Sequence, residues 1–125
     1  MRRAIFSADG RTTVSSAMEW VYVWDVESGT MRRKIRLPHQ DSCNLTLAAD
    51  GRTLATLDLR QDGDLVKNTV RLYDIESGKQ VLTLEPGDGR ASVMEFSPDG
   101  KRLFTGFGTG SGIVWDVRVG PGSPL

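Results

Sequence analysis

The feature that most constrains this chain is an internal repeat with a period of about 41 residues. Each copy contains a turn that ends in Asp-Gly, found in the segments FSADG, LAADG and FSPDG. Each copy also contains an aromatic residue followed by Asp, found in VWDV, LYDI and VWDV. Because the two marks alternate along the chain, the sequence predicts a stack of three similar supersecondary units.

One irregularity interrupts the period. Successive Asp-Gly turns lie 41 and 49 residues apart, whereas successive aromatic residues lie 49 and 42 residues apart. The second copy therefore contains about eight additional residues between Gly51 and Tyr73.

Apolar and polar residues alternate with a period of two, which is typical of β-strands. Asp-Gly turns suit tight hairpins, and Gly29 and Gly78 mark a second turn that leads into a further strand. The third copy ends near Pro121 and Pro124, which cannot donate to a sheet ladder. We therefore predict an all-β fold of antiparallel meanders with four, four and three strands.

These marks resemble the WD-repeat β-propellers, in which each repeat forms one four-stranded blade. The resemblance implies blade 1 at about 3–37, blade 2 at about 39–85, an incomplete blade 3 at about 90–119, and a flexible Gly/Pro tail at 120–125. The residues that carry the signature of the repeat are Trp24, Asp25, Tyr73, Asp74, Trp115 and Asp116.

The sequence departs from the family pattern at the polar network that joins the strands within a blade. The family has an Asp six residues before the Trp, where this chain has Met18, Lys67 and Thr109. A strand hydroxyl is available at Ser15, Thr56 and Thr105. We expect the network to be mostly broken and the blades to depend more on packing.

Three blades are fewer than the ~4 to 8 that close a propeller ring. Apolar blade faces at both ends of the array would then lack partners. We expect either self-association or further blades from a longer parent chain.

Composition limits the classes of partner. The chain has 16 Lys+Arg, 16 Asp+Glu and 38% hydrophobic residues, which gives no basis for predicting a nucleic-acid or membrane partner. Cys43 is the single cysteine, and no long apolar segment follows Met1. We expect a cytoplasmic location.

Two segments of the first repeat allow a structural and a functional interpretation. The aromatic residues of Trp20–Trp24 could form a ligand platform, but a blade strand covered on both sides explains them better. Arg32, Lys34 and Arg36 alternate, so we expect three cations on one face of an outer strand. A nucleic-acid or acidic partner is the weaker interpretation of these cations.

The insertion LDLRQDGDLVKNTV is predicted to lengthen a hairpin, with its turn at Asp62-Gly63. Its oxygen-bearing residues could instead bind calcium, although the spacing does not match an EF-hand loop. The resemblance implies that this loop lies on the propeller face that often binds partners. The predicted contact residues are Arg60, Asp62, Asp64 and Lys67.

The sequence thus favours a non-catalytic scaffold that binds a protein or peptide, with no catalytic residue, cofactor or metal assigned. The alternative is a propeller-type enzyme, or a calcium-dependent module, of which this chain is a fragment. One histidine and no His/Cys cluster weigh against the enzyme.

Overall fold

The computed structural model describes residues 3–37, 43–86, 91–108 and 110–117. Within these ranges the regular structure consists of eleven strands in three separate antiparallel sheets. This confirms the predicted fold class and the predicted number of strands. None of the described residues forms a helix long and apolar enough to cross a membrane. The predicted tail at 120–125 lies outside the described residues.

Each sheet is an up-and-down meander in chain order. Blade 1 contains β1 (Arg3–Phe6), β2 (Thr12–Ala17), β3 (Trp20–Asp25) and β4 (Thr30–Arg36). Blade 2 contains β5 (Cys43–Leu47), β6 (Thr53–Asp62), β7 (Leu65–Asp74) and β8 (Lys79–Leu84). Blade 3 contains β9 (Ala91–Phe96), β10 (Arg102–Phe107) and β11 (Gly112–Asp116).

The Asp-Gly turns recur with the same geometry in all three blades. Gly10, Gly51 and Gly100 each have a φ of 73°, a left-handed conformation that glycine adopts without a steric penalty. The carboxylate of Asp9 accepts a hydrogen bond from the backbone N–H of Arg11, and the other two turns repeat this bond. The repeat in sequence is therefore a repeat in backbone conformation.

The hydrophobic core lies between the blades rather than within one of them. One cluster joins Val14, Val21 and Val23 of blade 1 to Leu54 and Tyr73 of blade 2. A second cluster joins the opposite side of blade 2 to blade 3. We call the side of a blade that faces the preceding blade its leading face, and the side that faces the following blade its trailing face. In blade 1 the leading face is the side opposite to blade 2, and in blade 3 the trailing face is the side opposite to blade 2.

The second cluster shows why both faces of a blade are apolar. Leu57 and Leu72 on the trailing face of blade 2 are buried against Leu103 and Val117 of blade 3. The innermost strands β1, β5 and β9 lie side by side, so the blades fan out from one edge. The described chain is an open sector of a β-propeller.

Candidate interaction site

The insertion forms a two-stranded ribbon that extends beyond the rest of blade 2. Strands β6 and β7 have ten residues each, whereas the equivalent β2 and β3 have six. Pairing of β5 with β6 ends at Asp58, and pairing of β7 with β8 begins at Val70. Residues 59–68, which we call the ribbon, therefore pair only with each other among the described strands.

The turn of the ribbon lies one residue later than predicted. Asp62 pairs with Leu65, so Gly63 and Asp64 are the two central residues. Gly63 has a φ of 64°, and glycine at the first central position is typical of a type II′ hairpin turn. The predicted hairpin is confirmed, but its predicted turn at Asp62-Gly63 was wrong by one position.

The register places the four predicted contact residues at the outer end of the ribbon. Arg60 lies opposite Lys67, and Asp62 occupies the last pair before the turn. Asp64 lies in the turn, and Asp64 and Lys67 are exposed. The side chains of Arg60 and Asp62 lie outside the described ones, and a contact role for the four stays a prediction.

Two polar side chains anchor the base of the ribbon on opposite faces of the sheet. Asp58 and Arg71 form an ion pair in which the two side chains are only 5% and 14% exposed. On the other face, the side-chain oxygen of buried Asn68 accepts a hydrogen bond of 3.2 Å from the backbone N–H of Ala91 in blade 3. The ribbon is thus held from both sides of blade 2.

The same geometry opposes the calcium interpretation of the insertion. Asp58 lies opposite Thr69, and Asn68 lies opposite Leu59, so the register sends Asp58 and Asn68 to different faces. Calcium needs six to eight oxygens around one point. Among the described residues, no three His, Cys, Asp or Glu side chains are grouped so that they could hold a metal.

The residues of the repeat signature form hydrogen bonds within their blades. The indole N–H of Trp24 donates to the hydroxyl of Ser15 at 3.1 Å, and that of Trp115 donates to Thr105 at 3.1 Å. The carbonyls of Asp25 and Asp74 accept the N–H groups of the turn glycines that follow them. The expected network is therefore not broken at the indole–hydroxyl bond in blades 1 and 3.

The aromatic residues of β3 lie on the leading face of blade 1. Trp20, Tyr22 and Trp24 are half-buried, whereas Val21 and Val23 between them are buried. The Lys34 ammonium lies 4.4 Å from the centroid of the Trp20 ring, within the range of a cation–π interaction. We expected neighbouring blades to cover both sides of this strand. In the described chain blade 2 covers the side of Val21 and Val23.

The predicted row of three cations on β4 was wrong. A β-bulge between Val23 and Trp24 shifts the register, so Lys34 remains on the aromatic side while Arg32 turns towards blade 2. Arg32 pairs with Glu76 of blade 2 at 2.8 Å. Simple alternation fails here because a bulge inserts an extra residue into one strand.

Sequence reasoning did not single out the exposed apolar residues of the two outer blade faces. Phe6 of blade 1 is exposed, and so are Val93, Phe104 and Val114 of blade 3. Aligning the three repeats provides the signal, since Val114 corresponds to the buried Val23 and Leu72.

The sequence repeat, the three meanders and the indole–hydroxyl bonds are similar to those of the WD-repeat β-propeller proteins. No protein-family model matches the sequence. The chain is 29% identical to WD repeat-containing protein 55 of Bos taurus over 118 residues, which is 94% of this chain and 29% of that protein. It is 28% identical to Protein groucho of Drosophila melanogaster over 113 residues, or 90% of this chain and 15% of that protein. The chain thus spans less than a third of the length of these relatives.

Solved structures show the same fold at lower identity. The β-propeller domain of Cps50 (Swd1) from Myceliophteria thermophila superposes with a TM-score of 0.72 at 19% identity, covering 94% of this chain and 34% of that one. The WD40 repeats of RRP9 superpose with a TM-score of 0.68 at 20% identity, covering 91% and 34%. Hydrazine synthase of Kuenenia stuttgartiensis also superposes, with a TM-score of 0.63 at 20% identity over 82% of this chain and 30% of that one. Because the third protein is an enzyme, the shared fold does not decide the function.

Proposed function

We propose that the chain is a non-catalytic interaction module that binds a protein or peptide through the ribbon. The observation that carries this proposal is the extension of β6 and β7 beyond every strand that flanks them. A hairpin that extends beyond the rest of its blade can reach a partner, while the blades keep the position of the hairpin fixed.

Because its base is anchored, the ribbon can bind a partner with little loss of conformational entropy. The Asp58–Arg71 ion pair and the Asn68–Ala91 hydrogen bond hold its base on both faces. A preorganised element loses less conformational freedom on binding than a flexible loop does.

Charge at the end of the ribbon supports a polar partner. Two cations lie opposite each other at Arg60 and Lys67, and two carboxylates follow at Asp62 and Asp64. A ligand that carries charges of both signs can complement such a surface. The proposed ligand is therefore an extended peptide of mixed charge. The cytoplasmic location of the protein stays a prediction.

Peptide selection tests the proposal. A displayed peptide library is selected on the folded chain, and the affinity of the selected peptides is then measured for a ribbon variant with Arg60→Ser, Asp62→Ser, Asp64→Ser and Lys67→Ser. We expect the affinity to fall by about tenfold or more, equivalent to about 1.4 kcal/mol.

The matched control changes exposed charged residues at the opposite ends of the strands, Glu27→Ser and Lys101→Ser. We expect this control to bind like the original chain. Peptides that bind both variants equally, or a library that yields no binder, would contradict the proposed function.

A further inference from the structure

The backbone of the ribbon has an edge on the side of β7 that β8 does not reach. Strand β8 pairs with β7 as far as Val70 and ends at Leu84. If the same register continued, Pro86 would lie opposite Asn68, but proline has no N–H to donate to a ladder. Among the described strands, none lies beside residues 65–67 on that side of β7, which we call the open edge.

The register shows which backbone groups point to the open edge. The N–H of Ile75 donates to the carbonyl of Arg52 at 2.9 Å, which continues the β6–β7 ladder by one pair. Because antiparallel pairs alternate between hydrogen-bonded and non-hydrogen-bonded ones, the odd-numbered residues of β7 bond to β6. The N–H and C=O of Val66 then point to the open edge. Gln61 pairs with Val66, so its own N–H and C=O point to the opposite edge of the ribbon.

Two side chains beside the open edge define the chemistry of a strand that fits there. Lys67 is exposed, and opposite charges in neighbouring strands stabilise a sheet. An acidic side chain opposite Lys67 would therefore favour pairing. Val66 is half-buried and lies on the other face of the ribbon, where an apolar side chain of the added strand would lie beside it.

We propose that the mixed-charge peptide binds by strand addition, running beside β7 in the line of β8 with an acidic residue opposite Lys67. This inference rests on the proposed function, to which it adds the edge that is bound and the position of the charge. In this binding mode the backbone hydrogen bonds supply affinity, and alternate side chains supply specificity. The site lies within blade 2, so it is the same whether or not further blades adjoin blades 1 and 3.

Amide hydrogen exchange measured by NMR tests which edge the peptide occupies. In the free chain the N–H of Val66 should exchange faster than that of Lys67, which points towards β6. The selected peptides should slow the exchange of Val66 by about fivefold or more and leave that of Gln61 unchanged. A Val66 N–H that is already protected in the free chain, or that bound peptide leaves unprotected, would overturn the proposal.

A pair of proline variants tests the same edge by affinity. Val66→Pro removes the N–H at the open edge, and Gln61→Pro removes the N–H at the opposite edge; neither group belongs to the β6–β7 ladder. We expect Val66→Pro to weaken the binding of the selected peptides by about fivefold or more and Gln61→Pro to bind like the original chain. Circular dichroism checks each fold, and the exchange measurement on the original chain decides alone if a variant unfolds. Equal affinities of the two folded variants would contradict strand addition at β7.

Failure of strand addition is distinguishable from failure of the proposed function. Peptides that bind the four-serine variant of the ribbon as tightly as the original chain would contradict the proposed function. Peptides that depend on the charges of the ribbon, but bind without protecting the N–H of Val66, would contradict strand addition alone.

Discussion

At the scale of single residues, blade 2 differs from its neighbours at one hydrogen bond. Blades 1 and 3 pair an indole N–H with a strand hydroxyl, at Ser15 and Thr105. Blade 2 has Tyr73 in place of the tryptophan, and the buried hydroxyl of Thr56 has no hydrogen-bond partner among the described residues. An unsatisfied buried hydroxyl costs free energy, so this position is a local weakness.

Replacing each threonine with valine should therefore have opposite consequences. Thr56→Val removes a hydroxyl without a partner and should leave the free energy of unfolding unchanged within about 0.5 kcal/mol, or raise it. Thr105→Val removes the acceptor of Trp115 and should lower the free energy of unfolding by about 1 kcal/mol. Urea denaturation measures both variants, and equal losses would contradict this explanation.

The Asp-Gly turns of blades 1 and 3 carry a second residue-scale feature. The hydroxyl of Ser97 donates to Asp99 at 2.7 Å, and that of Ser7 donates to Asp9 at 2.6 Å. These hydrogen bonds, followed by those from backbone N–H groups, lower the pKa of both carboxyl groups below the usual aspartate value. A lowered folded-state pKa contributes stability at neutral pH that disappears as the pH falls through that pKa.

Ser97→Ala should raise the pKa of Asp99 towards its usual value and leave the pKa of Asp9 unchanged. The acid limb of the stability curve should become shallower, because less of the stability then depends on an ionised Asp99. Carbon-13 NMR titration of the side-chain carboxyl groups measures both sites in one sample. A parallel change at Asp9 would show that the effect is not local.

At the scale of elements, irregularities decide where charged residues lie. The bulge in β3–β4 turns Arg32 towards Glu76, which makes the arginine an inter-blade contact. The extension of β6 and β7 creates the ribbon, none of whose residues belongs to either core cluster. An element without core contacts adds little to global stability.

Shortening the ribbon should consequently leave the fold intact. Replacing residues 60–67 with Asn-Gly joins Leu59 to Asn68 through a two-residue hairpin turn and preserves the hydrogen bond from Ala91 to Asn68. We expect the melting temperature, measured by circular dichroism, to change by no more than about 4 °C. A collapse of the cooperative transition would show that the ribbon has a structural role.

At the scale of the whole molecule, stability depends on the contacts between blades. Each blade is a thin sheet whose apolar residues are covered by the next blade, as in other repeat arrays. Polar contacts reinforce the first junction, where Arg33 donates to the carbonyl of Glu76 at 2.9 Å. Loss of packing at one junction should weaken the entire described sector.

Leu54→Ala tests this dependence at the junction of blades 1 and 2. Leu54 is fully buried in the first core cluster, so the truncation should lower the free energy of unfolding by about 2 to 5 kcal/mol. Val81→Ala on the outer strand of blade 2 removes a partly exposed side chain and is expected to cost less than about 1 kcal/mol. Chemical denaturation followed by tryptophan fluorescence compares the two, and similar losses would contradict the importance of the junction.

Much of this structure could be predicted from local patterns. Asp-Gly pairs mark the turns, and period-two alternation marks the strands, because both signals act over a few residues. The added hairpin in the second repeat was visible as a change in spacing. The four proposed contact residues could be named from that insertion, although only their positions in the register are now described.

Tertiary structure alone decided the features that depend on distant residues. Alternation placed Arg32 beside Lys34, but the bulge and the carboxylate of Glu76, 44 residues away, placed it on the other side. Likewise, the pairing of Asp58 with Arg71 required the register of the long hairpin. The sequence determined the repeat, the strands and the turns, because these follow from short-range backbone preferences. Only the packing of one blade on another decided which apolar residues are buried and which, like Phe6 and Val114, face outwards.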